Sequence, residues 1–321
     1  MTPRYLDDQD VAAALSIPDA INCVDRAFRL LASGAAVNAV RQRLTAGPTT
    51  INVMWAIAPT EGVLGVKEYP TVEGSTRGVV LTLLLHSVQT GELLAVIQAD
   101  RLGQLRTGAA SAVASRALAR PDSQVLALYG TGFQAELQVL SLAHVLPELR
   151  KVLVVGRTPD RRDALIARLR SQLEIEIAAA DPVSAVQQAD VIVTATGSPA
   201  PVVDGGAVRP GTHVNAIGSN LPTKREVDRT LLDRAAAVIV DDRTVAASEC
   251  GDLLLNAFDV GAARTIGDVL LGREPGRTER KDITVFESQG LALQDVVCAG
   301  WLLGVSAERL LTEDGQGHRT C

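Results

Sequence analysis

Residues 126–140 read LALYGTGFQAELQVL: a short apolar run, a glycine turn, then a segment with helical character. Strand, glycine turn and helix together present backbone N–H groups and the positive end of a helix to a phosphate. Gly130, Thr131, Gly132, Phe133, Gln134 and Ala135 match GxGxx(G/A). In that pattern the glycines permit a tight turn against a pyrophosphate, and the small last residue lets the helix approach the sheet. Further strands and helices alternate after it: KVLVVG, a helix over 159–171, EIEIAAA, PVSAVQQA, DVIVTAT, THVNAIG and AAVIVDD. This alternation predicts a Rossmann-type doubly wound parallel α/β sheet over residues 121–288, with KDITVFES as a last strand.

The first part of the chain has a different rhythm. Ser16 suits an N-cap, Pro18 and Asp19 suit the first turn, and Ile21, Val24, Phe28 and Leu31 recur at helical spacing up to Gly34. INVMWAIAP, GVLGVKEYP, GVVLTLLLHS and ELLAVIQAD then read as strands, with a hairpin closed by Gln89-Thr90-Gly91. The small-residue segment GQLRTGAASAVASRALARP predicts a helix ending at Pro121. Residues 1–120, rejoined by a helix over 289–304 and the tail to 321, form a smaller α+β domain; the tail TEDGQGHRTC has little to order it.

Composition narrows the function. The 321 residues are 47% apolar but only 3% aromatic, so the core is built from Ala, Val, Leu and Ile, as buried parallel strands and small-residue helices require. The net charge is −6 and no basic tract carries interleaved aromatics, which argues against nucleic acid. No apolar run reaches the roughly 18 residues of a membrane span. The start MTPRYLDDQDV lacks a signal-peptide core, and four scattered cysteines form no CxxC pair. No metal site is expected, and free thiols in the cytoplasm are.

The end of the second Rossmann strand selects the cofactor. NAD sites place an acid there for the ribose 2′-OH. This chain has VVGRTPDRR, so Arg157 and Thr158 stand at that point, with Arg161 and Arg162 a turn later. Cations and a hydroxyl suit a 2′-phosphate, so NADP(H) is favoured and NAD(H) remains possible.

Five blocks in order, LRTGAASAVAS, GTGFQAELQ, ADVIVTATGSPAPVV, RPGTHVNAIGSN and ITVFESQGLALQDVV, resemble the ornithine cyclodeaminase/mu-crystallin family over nearly the whole chain. The resemblance implies a Rossmann domain plus a substrate-binding, dimer-forming domain, and hence a homodimer. It implies that Arg43, Lys67 and Arg106 hold a substrate carboxylate, and that Glu249 lies near the same pocket. It also implies cofactor contacts from Thr82, Arg106, Thr194, Ala195, Thr196, Ile217 and Gly218. Lys67, in an apolar strand, is also a candidate proton carrier, because burial lowers a lysine pKa. Met54, Trp55 and Tyr69 are candidates for the pocket wall.

Two departures bear on chemistry. Cyclodeaminases keep an acid where this chain has Asn220, and a glutamate where it has Asn52. An ornithine side-chain ammonium would then lack its counter-charge. The expectation is an NAD(P)H-dependent reductase of a cyclic ketimine or imino acid, with Lys67 and Arg106 catalytic and Asn220 orienting the substrate. An ornithine cyclodeaminase or amino-acid dehydrogenase, and a non-catalytic NADPH binder, remain alternatives.

Overall fold

A computed structural model describes residues 2–75 and 78–305. The tail sequence quoted above lies outside the described residues, as does Cys321. The chain divides into two compact units, Met1–Arg106 with Leu291–Cys321, and Thr107–Gly290.

The first unit holds β1 (Arg4–Leu6), α1 (Asp8–Ala14), α2 (Ile17–Ala32), β2 (Val37–Asn38), β3 (Gln42–Ala46), β4 (Thr49–Ala58), β5 (Val63–Val72), β6 (Thr82–Ser87) and β7 (Leu93–Gln98). Its sheet runs β1-β7-β6-β5-β4-β2, with β3 also on β4; all pairs are antiparallel except β1 with β7. Ser16 caps α2 by accepting from Asp19 N, and Ile21, Val24 and Phe28 are buried as their spacing predicts. The short α1 has no apolar stripe to announce it; Asp7 and Asp10 stabilise it through a capping box.

The helix α3 (Asp100–Leu118) carries the chain out of the first unit. The division falls inside this helix rather than after it, at residue 120. Its later half belongs to the packing of the second unit: a Cβ on Gly108 would lie 2.6 Å from Leu137 O and from Ser141 Oγ.

The second unit continues with β8 (Val125–Tyr129), α4 (Ala135–Val145), β9 (Lys151–Val155), α5 (Pro159–Arg170), β10 (Glu176–Ala179), α6 (Pro182–Gln188), β11 (Val191–Thr194) and β12 (His213–Ala216). Then follow α7 (Arg229–Arg234), β13 (Ala237–Val240), α8 (Arg243–Glu249), α9 (Gly251–Leu254), β14 (Arg264–Thr265), α10 (Ile266–Leu270) and β15 (Thr284–Glu287). Eight parallel strands are ordered β10-β9-β8-β11-β12-β15-β13-β14. The strand KDITVFES is therefore internal, inserted between β12 and β13. Its residues Thr284–Glu287 are all buried, which an exposed edge would not allow. The connections leave β8 in one direction toward β10 and return on its other side at β11, so the switch point lies at the carboxyl ends of β8 and β11.

From β15 the turn Ser288-Gln289-Gly290 sends the chain back to the first unit. Asp241 shapes that turn by accepting from Ser288 Oγ, Gln289 N and Gly290 N at 2.8–3.1 Å. The helix α11 (Ala292–Leu302) then packs on α2 and on the buried face of β4 and β5. That face carries Asn52, Met54, Ala56 and Ala58 from β4, and Val63, Gly65 and Lys67 from β5. A Cβ on Gly65 would lie 2.8 Å from Val296 Cγ2 and 3.1 Å from Leu84 O. Gly65→Ala is expected to lower unfolding free energy by about 1–3 kcal/mol through overpacking under α11, measured by urea denaturation.

Candidate active site

In the second unit a cleft of about 430 Å³ opens at the switch point. Gly130, Thr131, Gly132, Gly156, Arg157, Thr158, Arg161, Pro182, Ala195, Thr196, Gly197 and Ser198 are among its walls. Gly130 has φ of +117°, and a Cβ there would lie 2.3 Å from Ala195 O, so no side chain fits. Among the described residues a Cβ on Gly132 would meet nothing within 4 Å, which leaves clear space before the N-terminus of α4. A narrow glycine turn opening onto a helix N-terminus fits the pyrophosphate of a dinucleotide.

The carboxyl ends of β8, β11 and β12 stand level, with Tyr129 opposite Thr194 and Thr194 opposite Ala216. Tyr129 Oη donates to Pro182 O at 2.7 Å and fixes the start of α6 beside the cleft. Behind the turns that follow β11 and β12 lies Glu226, fully buried. Its Oε1 accepts from Thr196 N at 2.6 Å, and its Oε2 from Gly218 N at 2.7 Å and Thr194 Oγ1 at 2.9 Å. Burial pushes the Glu226 carboxyl up to about 7, while the donors from Thr196 and Thr194 oppose that rise.

A second constellation lies in the first unit. Lys67 and Asp295 are both buried, with Nζ 2.6 Å from Oδ2. Arg106 Nε lies 3.4 Å from Asp295 Oδ1, and Arg106 Nη1 donates to Gln294 Oε1 at 3.1 Å. Among the described residues, buried Gln294 Nε2 has no hydrogen-bond partner. Burial pushes the Lys67 ammonium down to about 8; Asp295 resists this, and the charges of Arg106 and Arg41 add to it. Burial alone would raise the Asp295 carboxyl, but Lys67 and Arg106 hold it below the usual carboxylate range. Lys67 and Arg106 bear on the Asp295 carboxylate, the charge of Arg41 bears on Lys67, and a buried amide donor stands beside them. Such a cluster has the charge to receive a second carboxylate.

The structure sorts the expected residues. Gly130, Thr131, Gly132, Arg157, Thr158, Ala195 and Thr196 line the cleft. Arg161 lines it too, whereas Arg162 turns aside: its stem would meet a Cβ on Gly156 at 3.2 Å, and its Nε pairs with Asp163 at 2.9 Å. Phe133, Gln134, Ala135, Thr194, Ile217 and Gly218 are not among the cleft walls. Ala135 opens α4, and Thr194 and Gly218 act through Glu226. Thr82 begins β6 in the first unit, half-buried.

Arg43 is the arginine expected in the carboxylate set, and Arg41 stands two residues before it. Arg41 is 6% exposed and its charge bears on Lys67, while Arg43 sits partly exposed on β3 opposite Asn52. Met54 shares the Lys67 face and pairs with it in register, whereas Trp55 points to the opposite face at 38% exposure; Tyr69 lies two residues beyond Lys67, half-buried. Glu249, expected near the substrate pocket, is fully buried in the second unit. Asn220 is half-buried in the turn after β12.

Sequence reading missed Asp295 and Glu226. Asp295 follows Gln294 on an apolar helix, and a lone acid in GLALQDVV was the available signal. Glu226 sits in the charged run TKREVD, which resembles a solvated loop until its burial is seen. Among the described residues no cluster of His, Cys, Asp or Glu could hold a metal ion, and no helix is long and apolar enough to cross a membrane. Cys23, Cys250 and Cys298 are buried free thiols.

The family model described as "Ornithine cyclodeaminase/mu-crystallin family" matches residues 2–304. The chain is 34% identical over 312 residues to the alanine dehydrogenase of Archaeoglobus fulgidus, covering 93% of this chain and 94% of that protein. It is 31% identical over 283 residues to a Δ1-pyrroline-2-carboxylate reductase of Bacillus cereus, covering 84% of each. Among solved structures, the Thermococcus litoralis Δ1-pyrroline-2-carboxylate reductase in complex with NADH and L-proline superposes with a TM-score of 0.89 at 28% identity, over 97% of this chain and 98% of that one. The parallel sheet with its glycine turn, the buried lysine–aspartate pair and these matches lead to one assignment: the chain is an oxidoreductase belonging to the ornithine cyclodeaminase/mu-crystallin family.

Proposed function

We propose that this chain reduces a small cyclic ketimine or imino acid, with its C=N bond next to a carboxylate, to the corresponding amino acid, using NADPH in preference to NADH. The observation that carries the reading is the buried Lys67–Asp295 pair with Arg106 and Arg41 bearing on it. Arg41 and Arg106 hold the substrate carboxylate, and Gln294 Nε2 supplies a further donor. The dinucleotide supplies a hydride for the C=N carbon. Lys67, oriented by Asp295, gives a proton to the nitrogen, so hydride and proton together convert C=N to HC–NH. Asn220 orients the substrate. Fixing the carboxylate places the imine carbon and supplies much of the rate through positioning.

Two observations separate this from the alternatives. Asn52 Nδ2 donates to Tyr69 O at 3.2 Å, so it braces β5 and offers no counter-charge to an ornithine ammonium. A binder without turnover has no use for a buried ammonium held against a carboxylate, an arrangement whose desolvation is costly. The relatives include an alanine dehydrogenase as well as imine reductases, so direction and substrate are settled by assay.

Cofactor-dependent absorbance loss with pyrroline-2-carboxylate and piperideine-2-carboxylate, against amino-acid oxidation with ornithine, alanine and lysine, tests the reading. Imine reduction is expected to dominate, and ammonia release from an amino acid in its place would sink it. Lys67 keeps its proton below about pH 8 and loses it above, so kcat/KM for the imine should fall as pH rises through that value. Lys67→Arg should be slower and should lack this fall, because arginine stays charged throughout. A wild-type rate flat from about pH 7 to 10 would remove Lys67 from the proton step.

Arg157, Thr158 and Arg161 wall the cleft beside the end of β9, and no acid lines it there. Arg161→Ala is expected to move the NADPH:NADH ratio of kcat/KM toward NADH by about 10- to 100-fold, the worth of one charge-assisted phosphate contact.

The outer face of the first sheet supports a homodimer. Val37, Leu44, Ile51, Trp55 and Ile57 are 38–74% exposed on β2, β3 and β4, a contiguous apolar patch of the kind a monomer seldom leaves bare. Sedimentation equilibrium should give twice the chain mass, and Trp55→Asp should shift it toward the monomer.

A further inference from the structure

The turns after β8, β11 and β12 are packed backbone against backbone. A Cβ on Gly130 would lie 2.3 Å from Ala195 O; one on Gly218 would lie 2.3 Å from Thr196 O, 2.4 Å from Thr196 N and 2.5 Å from Glu226 Oε1. Contacts this close leave no side chain to set the spacing of the turns. A single carboxylate sets it instead. Glu226 takes Thr196 N on one oxygen, and Gly218 N with Thr194 Oγ1 on the other.

Glu226 is itself held from behind. Asp252 Oδ1 accepts from Glu226 N at 2.6 Å and from Val227 N at 2.7 Å. A Cβ on Gly251 would lie 1.9 Å from Lys224 O and 2.6 Å from Leu221 O, so the start of α9 presses directly on the loop that carries Glu226. The carboxylate is fully buried and absent from the cleft wall, whereas Ala195, Thr196, Gly197 and Ser198 form that wall.

We propose that Glu226 is a positioning residue for the dinucleotide: it sets the place of the turns after β11 and β12, and through Thr196 the wall against which the cofactor rests, without touching the cofactor. The inference rests on reading the cleft as the dinucleotide site. The role demands an acceptor on both oxygens. A glutamine would aim its amide N–H at either Thr196 N–H or Gly218 N–H, donor against donor, and would push one turn away from the other. The requirement is geometric, so it weakens NADPH and NADH alike; the 2′-phosphate is read elsewhere in the cleft, near Arg157 and Arg161.

The test is fluorescence titration of NADPH and NADH into the full-length wild type, Glu226→Gln and Thr194→Val, with thermal melts of each. Glu226→Gln is expected to raise both dissociation constants by about 10-fold or more and by the same factor, and Thr194→Val, which removes one of three donors, by about threefold. A cooperatively melting Glu226→Gln whose dissociation constants stay within about twofold of wild type overturns the proposal, even where its Tm has fallen. Should Glu226→Gln not fold, Thr194→Val decides: unchanged affinity overturns the proposal. If the wild type binds neither dinucleotide, the reading of the cleft falls and this inference with it. If the wild type binds and the variants bind equally well, this inference alone falls.

Discussion

A lysine ammonium buried beside an aspartate is the constraint around which the first unit is arranged. Taking both charges out of water costs several kcal/mol per ion before their attraction is counted. The pair therefore persists only where the surrounding structure holds it in good geometry. Lys67 comes from β5, Asp295 from α11 and Arg106 from α3, elements far apart in the chain. Gly65 and Val296 let the helix lie close enough on the strand for the 2.6 Å contact. The cluster carries more positive than negative charge, so it is not a closed ion pair.

The second unit solves a different problem by the same means, close backbone approach. Glycines at 130, 156 and 218 bring strand-end turns together, and the helix α4 begins where the first turn ends. Buried acids then take up the N–H groups these turns leave without sheet partners: Glu226 behind the turns after β11 and β12, Asp252 behind Glu226, and Asp241 behind the turn that leads to α11. Burial raises the pKa of all three. They are acids used as backbone acceptors, and such use disappears from view in a sequence because an acid in a charged run looks solvated.

The sequence by itself determined the class of fold. Period-two and helical patterns, the capping Ser16 and the glycine turn of residues 130–132 are local signals, and local backbone preference dictates local structure. It also determined that residues 130–132, 157 and 158 belong together at one end of a sheet, because they follow strands β8 and β9 directly. Tertiary structure decided what depends on neighbours distant in the chain: that β15 sits inside the sheet, that the charge of Arg41 bears on Lys67, that Arg161 rather than Arg162 lines the cleft, that Asp295 pairs with Lys67, and that Glu226 accepts from the turn after β12. In each case burial and partner were decisive, and both are properties of the packed chain. A residue's type says what it can do, and its surroundings in the fold decide whether it is placed to do it.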